Sequence, residues 1–151
     1  GGVLFVIGGF GSLEKQLKEK SDEKNVVFIG RVDPKDVPAY VFAADILLIT
    51  YDPSNPNNRL NLPNKLFEAM IAGKPVVVTK NSEAGTIVRK KRCGITVDYF
   101  NPDEVISAFY FLKNDKKIYA ELSRNGIKAS KEMYNWGIME KKLIDAYADM
   151  M

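Results

Sequence analysis

Leu62-Pro63-Asn64-Lys65-Leu66-Phe67-Glu68-Ala69-Met70-Ile71-Ala72-Gly73-Lys74-Pro75-Val76-Val77-Val78-Thr79 is the stretch on which the fold turns. Pro63 suits the first turn of a helix, where a backbone N–H has no intrahelical partner to lose, and Gly73 is a natural helix stop. The spacing predicts a helix over 63–72. Leu66, Phe67, Met70 and Ile71 then share one inward arc, while Asn64, Lys65, Glu68 and Ala72 lie on the other side. Pro75 opens a strand over Val76–Thr79.

The same alternation continues in both directions. Toward the N-terminus, Val3–Ile7 is an unbroken apolar run ending at Gly8-Gly9, as expected of a central strand buried on both faces of a parallel sheet. A helix over Ser12–Lys20 follows, then a strand over Val26–Ile29 ending at Gly30, a helix around Lys35–Ala43 and a strand over Ile46–Thr50. Asp52–Asn61 holds Pro53, Pro56 and four asparagines, and reads as a mobile loop that packs as no element. Toward the C-terminus, a helix over Glu83–Lys90 leads to a fifth strand over Gly94–Val97. From Asn101, a cap followed by Pro102, three helical segments close the chain. Strands alternating with helices imply right-handed crossovers, and so an α/β fold: a Rossmann-like parallel sheet with helices on both faces. No repeat, linker or low-complexity segment divides residues 1–151, which read as a single domain.

Composition removes whole classes of chemistry. The chain is 46% hydrophobic and 27% charged and contains no histidine, which excludes Ser-His-Asp triads, Cys-His dyads and histidine-ligated zinc. The single Cys93 closes no intrachain disulfide, which suits a reducing, cytoplasmic compartment. A net charge of +3 from 22 basic and 19 acidic residues is not the footprint of a nucleic-acid binder. No apolar run reaches the roughly 18 to 20 residues that span a bilayer. The opening Gly-Gly, with neither an initiating methionine nor a basic leader, reads as a cut from a longer protein.

In such sheets ligands gather beyond the carboxyl ends of the strands, so the turns after Ile7, Ile29, Thr50 and Thr79 are the candidates. Gly8-Gly9-Phe10-Gly11 lets backbone approach a phosphate and aims a helix start at it, or simply makes a tight turn. As a dinucleotide fingerprint it fails: Glu14 stands where the third glycine belongs, and Arg31 where an acid would follow the second strand.

Taken together, Pro63-Asn64-Lys65-Leu66-Phe67-Glu68-Ala69-Met70 and Ala72-Gly73-Lys74-Pro75-Val76-Val77 resemble the nucleotide-sugar-binding, C-terminal half of the group 1 glycosyltransferases, retaining enzymes of the two-domain GT-B fold. Val3–Gly9, Asn25–Val32, Ala43-Ala44-Asp45-Ile46 and Tyr134-Asn135-Trp136 resemble further elements of that half in the same order, so nearly the whole chain is covered. The resemblance implies a hexosyltransferase donor domain that binds a nucleotide diphosphate sugar and retains anomeric configuration. It assigns the nucleotide ribose to Glu68, whose carboxylate can accept from two vicinal hydroxyls, and the base to the turn at Arg31 and Val32. Gly8 and Gly9 belong to the family's glycine element, and the free N–H groups of Asn64, Lys65 and Leu66, after Pro63, which has none, can face the diphosphate. Donor binding is thus expected at Gly8, Gly9, Arg31, Val32, Pro63, Asn64, Lys65, Leu66 and Glu68, with no catalytic residue assigned, no metal, and no cofactor beyond the donor.

Two departures stand out. Many members carry a second Glu eight positions before Glu68, where this chain has Leu60, and the family's usual upstream Arg and Lys are missing. The implied partners are the nucleotide sugar and a sugar or lipid-linked acceptor held by a missing N-terminal domain, with membrane-surface association as an option and no nucleic acid. The fragment alone is expected to be inactive. Rival readings are a nucleotide-sugar epimerase of the same build and a non-catalytic nucleotide-binding or receiver-like module, although Gly8-Gly9 stand where a receiver's acids belong. Arg89-Lys90-Lys91-Arg92 reads first as an exposed basic helix end, Trp136, Tyr134 and Tyr147 as packing anchors, and Phe109, Phe111 and Leu112 as helix core.

Overall fold

The computed structural model describes residues 2–21 and 25–148, so Gly1 of the opening pair lies outside the described residues. The chain forms two compact units, 1–40 and 41–151, each considered by itself.

In the first unit, strand β1 (Phe5–Gly8) pairs in parallel with β2 (Val26–Gly30), with helix α1 (Glu14–Lys20) between them in sequence. Phe5 faces Val26 and Ile7 faces Phe28, then the register slips so that Gly8 faces Gly30. The expected burial of this strand on both faces is not what the structure shows. Among the described residues β2 is its one hydrogen-bonded neighbour, Phe5 and Ile7 are half-buried, and Val6 is 51% exposed.

The division falls within helix α2 (Val37–Ala43). The second unit is built on a parallel sheet in the order β3 (Leu47–Ile49), β4 (Val76–Thr79), β5 (Gly94–Val97). All four residues of β4 are buried, as an apolar run between two neighbours and covering helices requires. Between the strands lie α3 (Pro56–Leu60), α4 (Asn64–Ala72) and α5 (Glu83–Lys91); α6 (Pro102–Asn114), α7 (Lys116–Glu132) and α8 (Trp136–Ala148) follow.

Helix α4 ends as its sequence dictates. Gly73 takes a left-handed conformation (φ 64°), its N–H donates to Met70 O at 3.2 Å, and Lys74 N donates to Ala69 O at 2.8 Å. This closes the last turn. Here α7 packs tightly, since a Cβ on Gly73 would lie 2.8 Å from Ile127 Cδ1. The buried stripe of α4 is Leu66, Ala69 and Met70, continued by buried Gly73: it keeps Leu66 and Met70 of the predicted arc and replaces Phe67 and Ile71 by Ala69 and Gly73. Ile71 is 57% exposed and Phe67 sits at the margin, its ring 5.5 Å from that of Tyr134. Small residues at 69 and 73 let α7 approach closely, so the packed face is centred on them and Ile71 is rotated away.

Other aromatic expectations divide. Phe109 and Leu112 are core, whereas Phe111 is 49% exposed; Trp136 and Tyr147 anchor nothing, at 70% and 61% exposed, because no residue of α8 is buried. The loop expected over Asp52–Asn61 contains α3. Asn55 caps it by accepting from Asn57 N at 2.9 Å, and Pro56 occupies its first turn. The residues that argued against an element instead start one, since Asn and Pro are the preferred pair at a helix entrance.

Glu104 joins the end of β4 to the start of α6. Its carboxylate accepts from Lys80 Nζ at 2.8 Å and Asp98 N at 2.9 Å, and from Asn101 Nδ2 at 3.4 Å. The Lys80 bond chiefly, and then the Asp98 N–H, hold the Glu104 carboxyl below its ordinary value of 4.5. A depressed folded-state value means stability that is fully present above the unfolded value and is lost as the pH falls through the folded one. The melting temperature should therefore drop on acidification below pH 4.5, and Glu104→Gln should flatten that part of the profile. An unchanged acid limb in the variant, followed by circular dichroism, would show that the pair carries no such linkage.

Candidate functional site

Two groups of predicted residues fall in different units. In the first unit the turn after β1 and the end of β2 are tied together. Gly9 N donates to Gly30 O at 2.7 Å, and the Arg31 guanidinium stacks over the Phe10 ring at 4.8 Å. A Cβ on Gly8 would lie 3.0 Å from Val32 Cγ2, so a larger residue there would press on the Val32 side chain. Gly8, Gly9, Arg31 and Val32 are thus neighbours, although Gly9 and Gly30 are 21 positions apart in the chain.

In the second unit the group lies on the first turns of α4. Pro63 is the cap residue and offers no side-chain hydrogen bond to the helix start. Leu66 N donates to Pro63 O at 3.0 Å, so of the three N–H groups expected to be free, Leu66's is already engaged; its side chain is fully buried. The bond arises because the first turn tightens to the three-residue pattern common at helix ends. The N–H groups of Asn64 and Lys65 have no acceptor among the described residues. One turn on, Glu68 is half-buried on the side opposite Leu66 and Ala69, and no hydrogen bond or ion pair holds its carboxylate among the described residues. The alternative pairing with Lys65 is not formed.

The helix start carries the positive end of the α4 dipole and two unbonded donors, and the carboxylate stands beyond them as an acceptor. That order of donors, then acceptor, suits a ligand with an anionic end and hydroxyl groups. Among the described residues no three of His, Cys, Asp and Glu are grouped as metal ligands.

Sequence reasoning missed α3, which leads into Pro63. Asn58 Nδ2 donates to Asp52 O at 3.1 Å, Ser54 N donates to Asp52 Oδ1 at 2.9 Å, and Tyr51 N donates to Thr79 Oγ1 at 3.1 Å. The Asn55-Pro56 pair was the available signal. The segment is fastened to the end of β4 and to itself.

A model of the glycosyl transferases group 1 family matches residues 2–115. The chain belongs to this family. A putative teichuronic acid biosynthesis glycosyltransferase, TuaH of Bacillus subtilis (strain 168), is 37% identical over 103 residues, 67% of this chain and 25% of that protein. Among solved structures, Anabaena Alr3699/HepE in complex with UDP-glucose superposes with a TM-score of 0.81 at 20% identity, over 97% of this chain and 41% of that one. The C-terminal domain of the group 1 family protein LpcC from Francisella tularensis gives 0.63 at 16% identity, over 87% of this chain and 85% of that one. The fold is the Rossmann-like half of a GT-B glycosyltransferase, with parallel strands as expected. The chain spans about a quarter of the length of TuaH and about two fifths of HepE. No helix among the described residues is long and apolar enough to cross a membrane.

The segment before α4 should be structured without any ligand. Exchange at Arg59 N–H, bonded to Asn55 O at 3.1 Å, should be slowed in the free protein, and Asn55→Ala should remove that protection at a cost of about 1 kcal/mol to the helix. Random-coil exchange at Arg59 in the unliganded wild type would mean that α3 is absent in solution.

Proposed function

We propose that the chain is the donor-binding part of a hexosyltransferase and holds a nucleoside diphosphate sugar at the start of α4. The observation that carries this reading is the half-buried Glu68 carboxylate, unpaired one turn beyond the two unbonded N–H groups of Asn64 and Lys65. In the proposed complex Glu68 accepts from the ribose hydroxyls while the helix start faces the diphosphate. Family membership supports the reading, and the solved relative HepE is described in complex with UDP-glucose.

The chemistry needed from these residues is electrostatic. As the bond between the sugar and the diphosphate breaks, negative charge grows on the departing phosphate oxygen. Donors already oriented toward that oxygen stabilise the charge without having to reorganise. Asn64 and Lys65 N–H groups are held in place by the buried Leu66 and by the Leu66 N to Pro63 O bond. The exposed Lys65 ammonium adds a mobile positive charge next to them. A nucleotide role for Gly8, Gly9, Arg31 and Val32 in the first unit is a separate proposal, tested by Arg31→Ala alone.

Acceptor binding is placed, in this proposal, outside these 151 residues. The purified chain should then bind a nucleoside diphosphate in calorimetry yet transfer no sugar to an acceptor panel. Transfer by the chain alone would overturn that division of labour, and failure to bind any nucleoside diphosphate would overturn the donor reading.

Glu68→Gln keeps the shape but loses the charge, so nucleotide affinity should fall by about ten-fold, the weight of about 1 to 2 kcal/mol for a charge-assisted bond. Glu68→Ala should fall further. With no partner to lose, either variant should shift the unliganded stability by no more than about 0.5 kcal/mol. Variants that unfold while their residual folded fraction binds nucleotide normally would make Glu68 a structural residue.

A further inference from the structure

Strand β5 stands at the end of the second unit's sheet, with β4 as its hydrogen-bonded neighbour among the described residues. The ladder fixes which of its backbone groups are used. Val76 N donates to Cys93 O at 3.3 Å and Lys80 N to Val97 O at 2.7 Å, so in this parallel ladder Cys93, Ile95 and Val97 turn their carbonyls to β4. The N–H and C=O groups of Gly94 and Thr96 therefore point away from the sheet, and among the described residues no hydrogen bond reaches them.

Edge strands are ordinarily guarded by a proline, a charge or a bulge. Gly94-Ile95-Thr96-Val97 has none of these, and its register with β4 runs without a slip. Beside it a groove of about 510 Å³ opens between β5 and α6, with Ile95, Val97, Ala108 and Phe111 on its walls. Phe111 is 49% exposed.

The two ends of the strand carry opposite charge. Arg89-Lys90-Lys91-Arg92 precedes β5, while Asp98 and Asp103 follow it, neither acid in an ion pair among the described residues. A parallel copy would set like ends together, whereas an antiparallel one sets each basic end against an acidic end. A two-fold axis gives that arrangement to a second copy of the same strand.

One register uses every free group. With the axis at Ile95, Gly94 of each copy lies opposite Thr96 of the other, a pair that exchanges both of its hydrogen bonds. Arg92 then lies opposite Asp98 of the other copy. Its guanidinium is 70% exposed with one nitrogen on Glu121, and so keeps donors for that carboxylate. With the axis at Thr96, Gly94 would need Asp98 N, which already donates to Glu104 Oε2 at 2.9 Å. With the axis at Gly94, Thr96 would need Arg92, whose N–H donates to Arg89 O and whose carbonyl accepts from Asn125. An axis between two residues sets outward-facing groups against inward-facing ones.

We propose that β5 pairs antiparallel with β5 of a second copy of this chain about a two-fold axis at Ile95, joining the two sheets edge to edge. The inference is independent of the donor reading, since it uses none of the residues at the start of α4.

Sedimentation of the 151-residue chain should show a monomer–dimer equilibrium. Amide exchange followed by NMR should find Gly94 and Thr96 slowed only at concentrations where the dimer forms, while Ile95 and Val97, bonded to β4 in either state, are slow throughout. Asp98→Arg and Arg92→Glu each set two like-charged pairs across the axis, and each should weaken the dimer by at least about ten-fold with circular dichroism unchanged. Mixing the two variants in equal amounts should restore dimers, because each alteration then faces the other and one native pair remains. Should either variant fail to fold, the concentration dependence of exchange at Gly94 and Thr96 decides alone. A chain that stays monomeric up to about 1 mM would leave the edge to another occupant and overturn the proposal. A dimer without protection at Gly94 and Thr96, folded single variants that dimerise like wild type, or a mixture no tighter than either variant would each overturn it as well.

Discussion

The complete burial of β4 is the constraint on which the larger unit depends. Val76, Val77 and Val78 lie between β3 and β5 in the sheet, and each such side chain withdrawn from water contributes about 1.5 to 3 kcal/mol. Because the strand is buried on both faces, the polar groups at its end must find partners nearby. Thr79 supplies them, its hydroxyl accepting from Tyr51 N and its carbonyl accepting from Ser82 Oγ at 2.8 Å. One strand end thereby fixes the exit of β3 and the cap of α5, where Ser82 Oγ accepts from Gly85 N at 3.0 Å. Helix α4 stops three residues before the strand, so the position of Glu68 follows from the same constraint.

The start of α4 owes its chemistry to what the fold leaves undone. Most helix starts use a side chain to accept from the first N–H groups, but Pro63 has none to offer, and Leu66 N turns back to Pro63 O. Two donors stay unbonded at the positive end of the dipole. On the far side of the same helix, close contact with α7 through Met70 and Gly73 holds the axis in place. Donors and carboxylate are therefore presented by a rigid element, and presentation of fixed dipoles is what electrostatic catalysis of a leaving diphosphate requires.

The surface divides by a similar logic. Where charges have partners, as in the knot of Lys80, Glu104, Asp98 and Asn101, they hold two elements together. Where carbonyls are satisfied by the backbone and by Asn125, Arg89, Lys90, Arg124, Lys128 and Lys131 make no ion pair among the described residues. The aromatic residues show the same division. Phe67 meets Tyr134 across α4 and the end of α7, while Trp136 and Tyr147 face solvent.

Local chemistry alone determined the order of elements, since Gly73 and Pro75 punctuate α4 and β4, Asn101 and Pro102 open α6, and unbroken valines mark β4. The pattern of Pro63–Thr79 also carries the family resemblance that singles out Glu68. Helical periodicity could not choose the packed face of α4, because Leu66, Phe67, Met70 and Ile71 and the shorter row of Leu66, Ala69 and Met70 are both acceptable arcs. The choice was made by α7, which comes from more than 40 residues away and needs small residues at its contact. Tertiary structure likewise decided that Val6, Phe111 and Trp136 face outward. Such outcomes depend on which distant element covers a side chain, and that information is spread over the whole chain rather than written beside the residue it governs.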